Sequence, residues 1–288
     1  MRVASLFNSA GFIAILELDN NRQLAEALGL DLTLPDNLVL LHQVHTFLLK
    51  LAQEVNGVIF DPIYTFDFLA QKAQRNVALI RLEQDRESLP DQPPLLFPNF
   101  SLEEVSQNYA LAKLELNYHP REKKALEKKQ LLAEINEYSK MLGIDFLLKL
   151  KIYDPNSLLV DSPNQNNFSF DDDQLLAIQE LKSMIDVLLI QNPTDPLAMA
   201  TIISELDVPC LIMANEHDHY EQFKEKFRMA MENGAKGYCL SQVLWSEIGT
   251  FRQDNQSLDL VALQKYLNTV VRDRLIELNR IAGESLVL

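Results

Sequence analysis

Cysteine is scarce in this sequence, and no Cys-x-x-Cys motif is present. The 288 residues include only Cys210 and Cys239, each inside an apolar, strand-like run. A disulfide framework of the kind that holds small secreted domains together is therefore excluded. We expect two buried thiols in a reducing compartment and a cytoplasmic protein.

Long apolar runs are also missing. The chain has no stretch of about 18 uninterrupted apolar residues, the length that a membrane-spanning helix needs. Its first residues do not form a charged segment followed by a long apolar one, as they would in an export signal. We therefore expect neither export nor a membrane partner.

Positive charge is in short supply. The chain has 26 Lys and Arg against 41 Asp and Glu, which gives a net charge of -15. Such a chain repels phosphate backbones and anionic lipid, so we expect no nucleic-acid partner. The only candidate basic patch has glutamates interspersed at helical spacing, which predicts a solvated helix face. Its members are Arg121, Lys123, Lys124, Lys128 and Lys129.

Eight short apolar runs have the length and composition of buried parallel strands. They lie at 11–18, 57–61, 76–82, 110–116, 145–152, 185–191, 208–214 and 237–241. Helical periodicity follows at 37–55, 65–74, 121–141, 172–183, 194–205, 218–233 and 259–282, with a shorter case from 101. Strict alternation indicates parallel strands joined by right-handed crossovers, and eight strands favour closure. We predict an α/β fold, a (β/α)8 TIM barrel, as a single domain over residues 1–288.

Glycine is missing where such barrels usually hold phosphate. Their active sites lie at the C-terminal ends of the strands, often with a phosphate bound by glycine-containing loops after the last two strands. Here the seventh predicted strand is followed by residues 214–218 (ANEHD), an acidic loop that should resist a phosphate. The polar, Asn-rich stretch 154–171 follows the fifth strand and is interpreted either as a mobile lid or as a tolerated insertion.

Several strings in this order resemble one known family. They are GFIAILELD ending at Asp19, GVIFDPIY with Asp61, PPLLFPNFSLEEVSQNYALAKLELNY around Lys113, IDFLLKLKIYD, IDVLLIQNP, VPCLIMA and NGAKGYCLSQVLW. Their order and spacing are similar to those of the tagatose 1,6-bisphosphate aldolase family of class I aldolases. The resemblance implies that a lysine near the end of the sixth strand forms an imine with the dihydroxyacetone phosphate half of the substrate, and no cofactor is expected. A fifth-strand glutamate, a fourth-strand lysine and a first-strand aspartate would assist.

Mapped onto this sequence, the resemblance keeps two assisting groups and loses the others. Asp19 matches the first-strand aspartate and Lys113 the fourth-strand lysine. Leu189 stands where the Schiff-base lysine is expected, and Lys149 replaces the glutamate. Gln242 stands where an arginine is expected after the eighth strand. We therefore do not expect conventional bisphosphate aldolase activity.

Side-chain alternation along strands predicts a charged interior. It places Glu17 with Asp19, Glu115 with Lys113, and Lys151 with Lys149, so three acids and three amines converge if these positions point inward. One interpretation is a compensated network that fills the barrel. A second is a rebuilt site in which Lys113 or Lys149 forms the imine, its pKa lowered by a neighbouring ammonium. A third is binding of a different small anion, and Asp61 and Gln242 are further candidate substrate contacts.

Two classes of function remain open. The first is a non-catalytic relative of the aldolases that senses a ligand or binds a partner. The second is a lyase that uses Lys113 or Lys149 on a different carbonyl substrate. The expected ligand is a sugar phosphate or another small anion. A third interpretation is an assembly subunit, a homo-oligomer that docks through helix 259–282.

The histidines carry weaker signals. His217 and His219 are weak metal candidates, because a His-x-His pair needs a third ligand from elsewhere, and we expect no metal site. His42 and His45 lie three apart on a helical stretch, and packing in the outer ring of helices explains them best.

Overall fold

The computed structural model describes residues 2–84, 89–155, 168–215, 218–253 and 257–286. Eight parallel strands form a closed barrel in sequence order, and the first strand pairs with the eighth. The strands are β1 Ile13–Glu17, β2 Gly57–Phe60, β3 Val77–Arg81, β4 Leu111–Tyr118, β5 Phe146–Ile152, β6 Val187–Gln191, β7 Cys210–Met213 and β8 Gly237–Leu240. The predicted (β/α)8 barrel is confirmed.

The α-helices in the described parts of the chain lie between these strands and after β8. They are α1 Asn21–Leu28, α2 Pro35–Leu49, α3 Leu102–Gln107, α4 Ala125–Leu142, α5 Phe170–Leu181, α6 Pro196–Ser204, α7 Tyr220–Glu232, α8 Leu260–Tyr266 and α9 Arg272–Ser285. None of them is long and apolar enough to cross a bilayer. The segment predicted as helical at 65–74 is instead a 3-10 helix, Phe66–Gln71. Phe68 is its only buried residue, so it lacks the apolar stripe that stabilises a longer α-helix.

Local sequence explains where several helices begin and end. The carboxylate of Asp195 accepts the backbone N–H of Leu197 at 2.8 Å, and Pro196 supplies the first residue of α6. Gly143 ends α4 with a φ of 69°, a left-handed conformation that glycine adopts without a Cβ penalty. These signals return the chain to the start of the next strand.

The last helical stretch completes the outer ring. A π-helical turn, Leu267–Val271, joins α8 to α9, so the helix predicted at 259–282 runs over residues 260–285. Many of its apolar side chains, among them Leu263, Leu275 and Leu278, are buried in the core, whereas Val261 and Ile276 are exposed. The buried side chains serve the fold, and docking of a homo-oligomer through this helix stays a prediction.

The basic run after β4 is ion-paired. Arg121 pairs with Asp173 at 2.6 Å and Lys129 with Glu180 at 3.2 Å. Lys128, predicted on a solvated face, is instead fully buried: its ammonium donates to Glu122 at 2.6 Å and to the carbonyls of Pro90 and Asn117. The prediction of a solvated face is wrong for this residue, because its ammonium donates to one carbonyl in the loop after β3 and to one near the end of β4.

Two apolar layers position the functional end of the barrel. One lies between the strands and the helices. The other fills the barrel interior and consists of alternate strand residues: Ile13, Ile15, Ile59, Val77, Leu79, Leu111, Leu147, Val187, Leu189, Leu211 and Met213, together with Leu6 and Cys239. The inward positions further along β1, β3, β4 and β5 carry charges, so the interior changes from apolar to ionic toward the C-terminal mouth.

Candidate functional site

The charged layer divides into two groups, which we name by their surroundings. The buried cluster consists of Asp19, Asp61, Arg81, Glu83 and Lys113, all with at most 5% of their surface exposed. The mouth cluster consists of Glu17, Glu115, Lys149 and Lys151. A distance of 3.9 Å between Lys113 Nζ and Glu115 Oε2 links the two.

Lys113 is the centre of the buried cluster. Its ammonium donates to Asp19 Oδ2 at 2.9 Å and to Glu83 Oε1 at 2.7 Å, and its side chain has no exposed surface. Arg81, the residue next to it across the β3–β4 pair, lies 3.1 Å from Glu83 and donates to the backbone oxygen of Asp19 at 2.6 Å. Two cations and their carboxylates thus tie β1, β3 and β4 together.

Asp61 completes this cluster from the end of β2. Its Oδ1 accepts the backbone N–H groups of Ile63 at 2.7 Å and Tyr64 at 2.9 Å, which caps the turn that follows the strand. Its Oδ2 lies 4.0 Å from Arg81 Nη1 and has no hydrogen-bond partner in the described part of the chain. Burial raises the pKa of Asp61 to about 6.

The sequence alone did not indicate Arg81 and Glu83. The signal was present, because Val77, Leu79, Arg81 and Glu83 alternate along NVALIRLEQ in the same way as the residues that we did predict. No family motif covered this strand, and the alternation argument was applied only to the motif residues.

The mouth cluster is a chain of four charges. Lys149 Nζ lies 2.6 Å from Glu17 Oε1 and 3.3 Å from Glu115 Oε2, and Lys151 Nζ lies 2.6 Å from Glu115 Oε1. Asn20 donates to the other oxygen of Glu17 at 3.0 Å. The two acids and two amines cancel, so this group offers no excess positive charge.

Carboxylates hold both buried amines as ammonium ions. Burial by itself lowers the pKa of Lys113, but the charges of Asp19 and Glu83 outweigh it and raise that pKa above its ordinary value. The same balance applies to Lys149, where Glu17 and Glu115 overcome burial and raise the pKa well above the usual range. The lowered pKa that a rebuilt imine site requires is found at neither residue.

Leu189 points into the barrel from β6 and is fully buried in its apolar filling. It lies beside Lys149 in the register of β5 and β6. The strand Val187–Gln191 contains no lysine. The family equivalence of Leu189 to the Schiff-base lysine stays a prediction, and the geometry fixes only that this inward position is aliphatic.

A cleft of about 940 Å³ opens at the mouth between β1 and β5 to β8. Of the predicted substrate contacts, Glu17, Lys151 and Gln242 line it, whereas Asp61 and Glu115 do not; the candidate catalytic residue Lys149 lines it as well. Amide and hydroxyl side chains outnumber the charged ones in the lining of the cleft. They are Asn20, Gln23, Gln191, Asn215, Ser241, Gln242 and Ser246. Lys151 is the more accessible of the two amines, with 27% of its side chain exposed.

A small recess adjoins the cleft. It has a volume of about 10 Å³ and shares Glu17, Asn20 and Gln242 with the cleft, among other residues. His45 of α2 and Trp245 also line it. We had expected His45 only to pack in the helix ring, so its place here is a feature that sequence reasoning missed.

The remaining candidates concern a metal and a loop. His219 lines the cleft, whereas His217 lies outside the described residues. Asp218 of the same loop pairs with Lys226. Within the described ranges no group of three or more His, Cys, Asp or Glu side chains could hold a metal ion. Most of the loop predicted at 154–171, namely 156–167, also lies outside them.

A closed (β/α)8 barrel with a polar cleft at the C-terminal ends of its strands has the layout of the barrel enzymes. No family model and no curated protein matches the sequence.

Solved structures with this fold include fructose-bisphosphate aldolases. An archaeal fructose 1,6-bisphosphate aldolase is 16% identical, with a TM-score of 0.61 over 93% of this chain and 96% of that one. A Schiff-base-forming fructose-1,6-bisphosphate aldolase is 15% identical, with a TM-score of 0.60 over 92% and 96%. The enzyme from Slackia heliotrinireducens is 10% identical, with a TM-score of 0.63 over 96% and 89%. At these identities the likeness shows the fold alone, a (β/α)8 barrel over nearly the whole chain.

Proposed function

We propose that this chain is a non-catalytic, ligand-binding relative of the Schiff-base aldolases, which takes a small polar molecule into the cleft without forming an imine. The observation that carries the proposal is the pairing of both buried amines. Lys113 and Lys149 each contact two carboxylates within 3.3 Å. The aliphatic side chain of Leu189 at the inward position of β6 supports the same conclusion.

Imine formation needs a neutral amine. Even at an unperturbed lysine pKa of about 10.4, fewer than about one amine in a thousand is neutral at pH 7. Carboxylates raise the pKa of Lys113 and Lys149 further, so the reactive fraction becomes smaller still. Removing a proton from either ammonium would also leave buried carboxylates without their counter-ions, which is costly.

The burial of Lys113 and Lys149 also argues against the alternative, a lyase with a relocated nucleophile. Lys113 has no exposed surface and does not line the cleft. Lys149 lines the cleft but has 5% of its side chain exposed, and Glu17 holds its ammonium. A ketone would have to displace these carboxylates before its carbonyl carbon could approach either nitrogen.

Borohydride trapping tests the proposal directly. The protein is incubated with dihydroxyacetone phosphate, and separately with dihydroxyacetone, then reduced and measured by intact mass and peptide mapping. A Schiff-base-forming aldolase treated in parallel serves as the positive control. We expect no adduct on this chain. A stable adduct mapped to Lys113 or Lys149, and lost in the Lys113→Met or Lys149→Met variant, would establish the lyase alternative instead.

A further inference from the structure

His45 is a buried polar side chain beside the recess. Only 1% of its surface is exposed, and both ring nitrogens lack a hydrogen-bond partner in the parts of the chain that the structure describes. A buried donor or acceptor left unpaired costs about 1–3 kcal/mol. A fold that keeps such a group beside a cavity indicates that something else completes its hydrogen bonds.

The recess beside His45 has room for one small group. Its volume of about 10 Å³ matches a single water-sized oxygen and no more. Leu24, Leu48 and Trp245 form apolar walls, and the recess adjoins the cleft through Asn20 and Gln242. An oxygen that is part of a molecule in the cleft can therefore reach the imidazole.

The protonation state of the His45 imidazole determines which kind of oxygen the recess can accept. Burial lowers the pKa of His45 to about 3, so the ring is neutral and has one donor and one acceptor. A hydroxyl group also donates one hydrogen bond and accepts others, so it can bond to either nitrogen. A phosphate oxygen only accepts, so it could bond the N–H nitrogen alone, and its charge would enter a recess whose lining among the described residues has the carboxylate of Glu17 and no Lys or Arg.

The lining of the cleft also favours uncharged hydroxyl groups over phosphate. Its amines are already neutralised within the mouth cluster, and the acidic side chains Glu26 and Asp218 also line it. Carboxamides and hydroxyls make up most of the remaining polar lining. Asn215 adds a buried side-chain oxygen without a partner among the described residues. This is a surface for hydrogen bonds to neutral groups.

We propose that the cleft binds an uncharged polyhydroxylated molecule, an unphosphorylated sugar or polyol, and that the recess takes one of its hydroxyl groups against His45. This inference rests on the proposed function and names its ligand class. It departs from the sugar phosphate or small anion expected from the sequence, because the positive charge that would hold a phosphate is already neutralised.

Isothermal titration of the intact protein tests the ligand class. The probes are D-fructose, D-tagatose and D-sorbitol on one side, and dihydroxyacetone phosphate and inorganic phosphate on the other, each into the millimolar range. We expect one-to-one binding of at least one uncharged probe and none of the phosphates. The proposal would be overturned if either phosphate bound more tightly than the uncharged probes. It would also be overturned if none of the three uncharged probes bound.

His45→Phe tests the recess. Phe fills the space without offering a hydrogen bond, so we expect the affinity for the uncharged probe to fall at least tenfold, which corresponds to about 1.4 kcal/mol. The matched control is His42→Phe, one turn earlier on α2, because His42 is exposed, stacks on Phe68 and does not line the recess. Its affinity should not change. Equal effects of the two substitutions, or unchanged affinity in His45→Phe, would refute a hydroxyl at His45.

The two proposals fail separately. A lysine adduct after borohydride reduction would refute the non-catalytic function, yet leave open whether sugar binding depends on His45. Conversely, phosphate binding without an adduct would refute the ligand class and leave the non-catalytic function intact. Urea unfolding of both histidine variants verifies that each is folded, and replacing an unpaired imidazole by an apolar ring should cost little stability.

Discussion

The buried cluster and the mouth cluster have similar chemistry and differ in exposure. Every member of the first is sealed, whereas the second runs from the buried pair Glu17 and Lys149 to the partly exposed Lys151. Both join lysines to carboxylates at distances of 2.6–3.3 Å. Lys113 is sealed, whereas Lys151 has 27% of its side chain exposed. Removing one partner of a sealed pair leaves an uncompensated charge in a medium of low dielectric constant, whereas water replaces the lost partner of an accessible pair. Contacts of similar length therefore differ in what they do: the first group ties strands of the barrel together, whereas the exposed end of the second lines the cleft.

The largest expected effect is that of Lys113→Met. It leaves Asp19 and Glu83 buried without their ammonium, so we expect the free energy of unfolding to fall by about 3–5 kcal/mol. Urea denaturation at pH 7 measures it. A loss below about 1 kcal/mol would mean that water reaches this cluster and that the contrast with the mouth is wrong.

Asp61→Asn should give a smaller, pH-dependent effect. The folded pKa of Asp61 is about 6, above an unfolded value of about 3.9, so the folded state binds the extra proton between these values. This group therefore makes the folded state less stable as pH rises from about 4 to about 6, by on the order of 2–3 kcal/mol.

Asparagine keeps the acceptor for the N–H groups of Ile63 and Tyr64 and removes the titration. Urea unfolding over a pH series should show the variant and the natural protein diverging between about pH 4 and pH 6, with the variant the more stable at the upper end. The opposite trend from Asp19 and Glu115, whose lowered pKa values remove stability as pH falls, is present in both proteins and largely cancels in the difference. If the free energies of unfolding of the two proteins changed in parallel over this pH range, the raised pKa of Asp61 would be ruled out.

Lys151→Met should have the smallest effect. Its ion pair with Glu115 is partly exposed, so we expect a loss of less than about 1 kcal/mol, and salt should reduce the difference from the natural protein. Repeating the urea titration at high salt checks this. The loss in Lys113→Met should persist under the same conditions, because a sealed pair is poorly screened. Salt sensitivity in both variants, or in neither, would erase the distinction between the clusters.

Much of the fold and part of the site could be predicted from the sequence. Strand order and closure followed from eight apolar runs that alternate with helices. The convergence of Glu17, Lys113 and Lys149 followed from the period of two along a strand. Each of these is a local rule that needs no knowledge of distant residues.

Other features depend on long-range geometry. The recess is formed by His45, Trp245 and the loop after β1, which are far apart in the chain. Nothing in the string VLLHQVH distinguishes an exposed His42 from a buried, unpaired His45. The direction of the pKa shifts of Lys113 and Lys149 could not be predicted from the sequence either. Neighbouring amines lower a lysine pKa and neighbouring carboxylates raise it, and only the distances decide which effect is larger.

The position of Leu189 next to Lys149 across adjacent strands limits how this interior can change by mutation. A lysine introduced by Leu189→Lys would start about 4.8 Å from the backbone of Lys149, whose ammonium is already paired with Glu17 and Glu115. Such a protein would carry like charges side by side until position 149 changed as well. The neighbouring ammonium would lower the pKa of the new amine, as imine formation requires, and would at the same time cost stability, because two like charges would be buried together. Positions 149 and 189 are therefore coupled, and the residue at one limits what the other can hold.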